Sequence, residues 1–167
     1  MKNVLLISIL VVFTGCVSVS HIAQTTGVSE SQLNTISKNA SEIIVEKSIS
    51  ASGLYEEVYS VLISRGHRIS KDDKERYYIT TEGKDAGEST LQRSTIVISE
   101  GDGVSTALIR SEWKPGTEAA MGASIMAGIG ISSDWSQAKW ETGRPGIAFA
   151  EGLAIANSVK NGKITFK

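Results

Sequence analysis

Hydrophobic and polar side chains alternate along several stretches of the chain, and this period of two is typical of strands that bury one face. In the first stretch, Ile43, Val45, Lys47 and Ile49 fall on the same side. Segments rich in Gly, Asp and Ser lie between later stretches and interrupt the pattern. The alternation predicts four strands, over residues 42–49, 77–82, 89–99 and 104–113.

The last two of these strands have the clearest sidedness. Four residues of the third strand share one face, and three of the fourth strand do the same. Between them, residues 100–103 read Glu-Gly-Asp-Gly. Gly and Asp tolerate positive φ, so this segment predicts a tight hairpin. The residues expected to face one way are Gln92, Ser94, Ile96 and Ile98, then Ala107, Ile109 and Trp113.

A period close to four residues replaces the alternation in two other segments and predicts helices. Leu54, Val58, Val61 and Leu62 recur at helical spacing over residues 53–65. Gly66 follows as an expected C-terminal stop. A second apolar helical pattern begins at Arg144-Pro145, where Pro is preorganised for a first turn, and stops at Asn161-Gly162. Ile164-Thr165-Phe166 then predicts a last short strand or strap.

The order of these elements predicts an α+β fold. A strand, a helix and a three-strand meander are followed by a C-terminal helix. One-sided alternation indicates an antiparallel β-sheet with both helices packed on one face. The charge run of residues 71–76 is interpreted as a solvated turn, with a partner-docking patch as the alternative.

The N-terminus has the layout of a secretory signal peptide, with a short basic start and an apolar run from Val4 to Phe13. As a helix, a run of this length covers about 15 Å, half of a bilayer core of about 30 Å. A transmembrane anchor is therefore not expected.

The run ends in Phe13-Thr14-Gly15-Cys16, which resembles the lipobox of bacterial lipoproteins. The resemblance implies recognition of Phe13, Thr14 and Gly15 by a signal peptidase, cleavage before Cys16, and acylation of the Cys16 thiol and amino group. Val17 stands where an Asp often retains such proteins at the inner membrane, which implies an outer-membrane anchor facing the periplasm. A plain secretory signal with a chance Cys, or a buried N-terminal strand, remains the alternative.

Residues 17–41 are rich in Ser, Thr, Asn and Gln, and this composition predicts a flexible polar tether. Ser29 and Gln32 have capping-box spacing, so a short helix over 30–38 is possible within it. The sequence thus predicts three parts. These are a cleaved signal peptide at 1–15, a lipidated tether at 16–41 and one α+β domain at 42–167.

The amino-acid composition limits which partners, metal sites and catalytic reactions we expect for this protein. Lys and Arg total 17 and Asp and Glu total 18, so a net charge of -1 argues against a nucleic-acid partner. One Cys and two His exclude an internal disulfide and supply too few ligands for a zinc site. His67 is the only His of the predicted domain, and no Gly-x-Ser-x-Gly elbow surrounds a Ser. We expect no enzyme, cofactor or metal, although acid–base hydrolysis by two distant carboxylates such as Glu112 and Glu141 stays open.

Residues 119–131 contain no charged side chain and repeat small residues every four positions. Such spacing lets helix backbones approach closely. We expect a glycine-softened loop or short buried helix. The alternatives are a membrane-touching hairpin or apolar protein-docking loop, and a pore-forming or oligomerising helix. Trp135 and Trp140 follow, and packing on the sheet is preferred to a headgroup boundary for both. The possible contact residues are Met121, Gly122, Ile125, Met126, Gly128 and Ile129.

Residues 42–113 also resemble small helix-on-sheet domains of envelope lipoproteins, through Gly66-His67-Arg68-Ile69 and Tyr78-Ile79-Thr80-Thr81. We therefore expect a non-catalytic interaction or assembly module, anchored to a membrane through Cys16 and binding an envelope protein. Its expected contact surfaces are segment 119–131 and the exposed sheet face. A small-ligand or lipid carrier, and a membrane-perturbing protein acting through segment 119–131, are the alternatives.

Overall fold

The computed structural model describes residues 17–117 and 134–167 of the chain. Within these ranges the helices are α1 Val19–Thr26, α2 Glu30–Leu33, α3 Ala51–Ser64 and α4 Arg144–Ser158. The strands are β1 Ile43–Lys47, β2 Ile69–Asp73, β3 Tyr78–Thr81, β4 Lys84–Asp85, β5 Thr90–Gly101, β6 Val104–Pro115, β7 Ser136–Gln137 and β8 Lys163–Phe166.

The strands form one antiparallel sheet, which confirms the α+β class. Its order is β2-β3-β5-β6-β1-β8, with β4 paired to β5 and β7 paired to β6. The two longest strands, β5 and β6, meet in the predicted hairpin. Gly101 pairs with Val104, while Asp102 and Gly103 form the turn with φ of 52° and 74°. Both turn residues thus adopt the positive φ that a two-residue hairpin favours.

Helices α3 and α4 pack on the same face of the sheet, against β5 and β6. Six of the seven positions predicted to share this face are buried there, including Gln92, Ile96 and Ile109, and Trp113 is half-buried. Alternation places the remaining side chains of the two strands on the opposite face. Within the described residues, the sheet therefore has one face covered by helices and one open face.

Small residues let α4 approach the sheet closely. An added Cβ at Gly152 would lie 2.4 Å from Oγ of Ser111 on β6. An added Cβ at Gly146 would lie 1.8 Å from the carbonyl oxygen of Glu141. Larger residues at either position would force the helix away from its neighbours. The helix is accordingly buried along most of its length, from Gly146 to Ala156.

The charge run differs from its prediction, because its first part is strand β2 rather than a solvated turn. Asp72 pairs with Ile79 and Asp73 with Tyr78 on β3. β2 stands at one end of the sheet order, so charged side chains can remain in water while the backbone pairs on one side.

Burial and the hydrogen bond from Tyr55 to Asp72, 3.1 Å long, raise the pKa of Tyr55 to about 12.

The prediction of a flexible tether is wrong for residues 19–40, which belong to the folded domain. Ile22 on α1 is 0% exposed, Leu33 on α2 is equally enclosed, and α1 packs against α4. Composition was misleading here because a few apolar residues at helical spacing are enough to dock a short helix. Ser18 and Ser29 cap the two helices by accepting the N–H of His21 and of Gln32. The helix start at Ser29 is thus confirmed, but the Gln32 side chain bonds Asn157 and does not close a capping box, and α2 ends at Leu33.

Candidate functional site

The most enclosed group of ionisable side chains surrounds Glu151, which lies in the middle of α4 and is 5% exposed. Arg65 at the end of α3 donates from Nη2 to its carboxylate at 3.0 Å. Lys84 on β4 donates from Nζ at 3.1 Å. Nε2 of His67 lies 3.3 Å from Oε1 but off the line of a good hydrogen bond. One carboxylate therefore meets three basic side chains from two other parts of the fold.

These neighbours decide the charge of Glu151. Burial raises the pKa of the carboxyl, but contact with His67 and the positive charges of Arg65 and Lys84 lower it more, to about 2. The carboxylate is therefore ionised at neutral pH and accepts hydrogen bonds. Lys84 also donates to the carbonyl oxygen of Arg65 at 2.9 Å. The cluster thus ties the end of α3, strand β4 and the middle of α4 together.

Sequence reasoning missed Glu151 and named other carboxylates. The sequence does mark Glu151, because it is the single charged residue inside the apolar run of residues 146–156. The pair considered for hydrolysis lies elsewhere: Glu112 bonds Arg93 at 2.7 Å, and Glu141 lines a surface depression beside Trp140. His67 was expected to be the only His of the domain, but His21 on α1 belongs to the domain as well and lies 2.8 Å from Glu88. The neighbour of His67 is Glu151.

A short polar seam also lies between the sheet and α4. Gln92 donates to Oγ of Ser94 at 2.6 Å and approaches Oγ of Ser111 at 3.4 Å. Thr81 accepts the backbone N–H of Ser94 at 2.8 Å. Gly152 packs directly above Ser111, so the seam is closed by the helix. Its hydrogen bonds satisfy the amide N–H of Gln92 and the hydroxyl groups, whereas Oε1 of Gln92 has no partner among the described residues.

The open face of the sheet carries a line of cross-strand apolar neighbours, here called the apolar row. Tyr78 on β3 pairs with Val97 on β5, Val97 with Leu108 on β6, and Leu108 with Ile44 on β1. Val97 is 37% exposed, Tyr78 and Leu108 are half-buried, and Ile44 is buried by its neighbours. The row crosses four adjacent strands, and no helix of the described ranges packs on it.

Ion pairs flank the apolar row on both sides. Arg93 bonds Glu112 at 2.7 Å, and Arg110 bonds Glu42 at 2.6 Å. On the other side of the row, Lys163 bonds Glu46. An apolar centre with a polar rim is the usual arrangement of a protein–protein contact surface.

Trp135 packs on a face of the sheet, as preferred from the sequence, whereas Trp140 packs toward Phe149 on α4. Trp135 lies over the open face, with Arg93 at 4.5 Å and Lys114 at 4.9 Å from its ring centre. An added Cβ at Gly83 would lie 2.9 Å from its ring. Trp140 is buried and approaches the Phe149 ring at 6.2 Å between centroids. Trp135 therefore extends the open face with an aromatic surface.

Four surface depressions of the described residues have volumes of about 290 to 370 Å³. None of these four is lined by a residue of α3 or α4, so none opens between the sheet and its helices. Within residues 17–117 and 134–167, no group of three or more His, Cys, Asp or Glu is placed to hold a metal ion. In the same ranges, no helix has both the length and the apolar character needed to cross a bilayer.

Several predicted site residues lie outside the described residues. They are the lipobox residues Phe13, Thr14, Gly15 and Cys16, and the contact residues of segment 119–131. Comparison with protein-family models and with curated proteins finds no match for this chain. The N-terminal sequence and the geometry of the described domain are therefore the features that bear on function.

Proposed function

We propose that the protein is a bacterial lipoprotein, acylated at Cys16, whose domain binds another envelope protein without catalysing a reaction. The N-terminal sequence supports the anchor, because the single Cys directly follows an apolar run too short to span a bilayer. An outer-membrane anchor facing the periplasm is part of the same proposal, since Val17 follows the Cys.

The apolar row is the observation that supports protein binding. It presents apolar side chains on a face without a described helix, between two sets of ion pairs. Apolar burial supplies affinity, while charged groups at the rim restrict the partners that fit. The enclosed Glu151 is ionised, accepts hydrogen bonds from Arg65 and Lys84 and lies close to His67, which suits a structural role.

Site-specific photo-crosslinking in the native bacterium tests this function. A photoreactive amino acid at Val97 should crosslink one envelope protein, which mass spectrometry then identifies. Ile63 is the matched control, because it is an apolar residue of α3 and is 51% exposed. A crosslink to the same protein from both positions, or from neither, would contradict binding at the open face.

The anchor is tested separately by the mass of the N-terminal peptide. The proposal expects a peptide that begins at Cys16 and carries diacylglycerol and an N-linked acyl chain. Cys16→Ser should abolish this mass and release the protein from washed membranes. A Cys16→Ser protein that stays as firmly in the membrane fraction would refute the lipoprotein assignment, whatever the crosslinking result.

A further inference from the structure

A groove of about 370 Å³ opens at the start of α1 and is here called the N-terminal groove. It combines apolar side chains with polar ones at its rim. Ile36 and Trp140 are buried and form its apolar part, while Lys38 and Glu141 are exposed. The lining residues are Val19, Ile36, Lys38, Trp140, Glu141 and Thr142.

Backbone hydrogen bonds hold the two walls of the N-terminal groove together. Trp140 N–H donates to the carbonyl oxygen of Ala40 at 2.7 Å, and its own carbonyl accepts the N–H of Asn39 at 3.0 Å. The indole packs toward Phe149 on α4. These contacts fix the segments of residues 36–40 and 140–142 relative to each other. The groove is therefore part of the folded domain.

Chain length brings this groove close to the anchor. This step rests on the proposed acylation of Cys16. Cys16 precedes Val19 by three residues, and an extended chain covers at most about 11 Å over three residues. The headgroup layer of each leaflet is about 5–8 Å thick, judged from a bilayer of about 40–45 Å around a core of about 30 Å. Because α1 is docked on the domain, the chain between lipid and groove cannot act as a long spacer.

We propose that the N-terminal groove is the membrane-contact edge of the domain and is covered by the phospholipid headgroup layer. The layer covers the small part of Ile36 and Trp140 that the domain leaves exposed. Lys38 at the rim supplies an ammonium group for lipid phosphates. The domain consequently contacts the membrane through this edge.

Fluorescence quenching in proteoliposomes tests the orientation. Cys16 is the only Cys of the chain, so in the acylated protein Lys38→Cys provides a single thiol for a fluorophore. The protein is purified from bacterial membranes in detergent and reconstituted in phosphatidylcholine vesicles that contain a headgroup nitroxide lipid. We expect the nitroxide lipid to quench most of the fluorescence of a fluorophore at position 38. We also expect the bilayer to protect this fluorophore from iodide added to the water.

Lys74→Cys is the matched control. Lys74 lies in the turn after β2, at the sheet edge opposite β8, whereas residues 41 and 42 beside the groove bond Lys167 after β8. We expect iodide, and not the nitroxide lipid, to quench this position. Equal nitroxide quenching at both positions, or a position 38 open to iodide, would overturn the proposal. Protection of position 38 from both quenchers would assign the groove to protein or to the acyl chains of the anchor, and would also overturn it.

The mass of the N-terminal peptide separates this test from that of the anchor. A protein without lipid on Cys16 would not remain on the vesicles and would refute the proposed function itself. A lipidated, vesicle-bound protein with an iodide-accessible position 38 would refute only the orientation.

Discussion

Burying a carboxylate at the centre of an apolar helix is costly unless basic groups surround it. Glu151 satisfies this condition through Arg65, His67 and Lys84. The sequence showed a charge among apolar residues, yet it gave no means of locating the partners. Lys84 is 67 residues away in the chain and Arg65 is 86 away. Only the docking of α4 against β4 and the end of α3 brings these side chains together.

Glu151→Gln should lower the free energy of unfolding by roughly 1–3 kcal/mol at neutral pH, because it leaves the half-buried Arg65 and Lys84 without the carboxylate that accepts their hydrogen bonds. Urea unfolding followed by circular dichroism measures the loss. Glu141→Gln is the control, since Glu141 is exposed, and it should stay within about 0.5 kcal/mol of the native protein. Equal stability of the two variants would remove the structural role given to Glu151.

The pKa of Glu151 also predicts how stability depends on pH. The folded state holds this pKa at about 2, below the ordinary 4.5, so the unfolded chain takes up the proton first. The contribution of Glu151 is complete above its ordinary pKa and is lost as the pH falls from about 4.5 toward about 2. Urea titrations between pH 6 and pH 2.5 should therefore show the native protein and Glu151→Gln converging in stability. Parallel curves would contradict the assignment.

At the scale of elements, local patterns succeeded where the local signal was strong. The β5–β6 hairpin, α3 and α4 follow from alternation, helical spacing, Gly-Asp turn residues and a Pro in the first turn. Strand β2 was missed because a charged edge strand lacks the alternation that reveals buried strands. Helix α1 was missed because its short apolar side becomes evident only against α4.

The docking of α1 has a direct test in Ile22→Ala. Ile22 is fully buried, so the change should lower the free energy of unfolding by about 2–5 kcal/mol through lost apolar contacts and a residual cavity. Gln24→Ala, on the exposed side of the same helix, should change stability little. Both are measured by urea unfolding. Indistinguishable stabilities would restore the interpretation of this segment as a tether.

For the whole molecule, the two faces of one sheet have different roles. The covered face holds the core, the polar seam and the Glu151 cluster, while the open face holds the apolar row and its ion pairs. Val97→Arg should therefore leave urea unfolding within about 1 kcal/mol of native and abolish capture of the partner found by crosslinking. Ile63→Arg should leave both unchanged. Loss of capture in both variants would show that the contact does not depend on the open face.

The sequence by itself determined the local secondary structure, because alternation, helical period, caps and turn residues act between neighbours in the chain. The α+β class, the hairpin and the two long helices were determined in this way. The tertiary structure alone decided the strand order, the inclusion of α1 and β2, and the partners of Glu151. Each of these depends on contacts between residues far apart in the chain, whose free energy appears only when the elements dock.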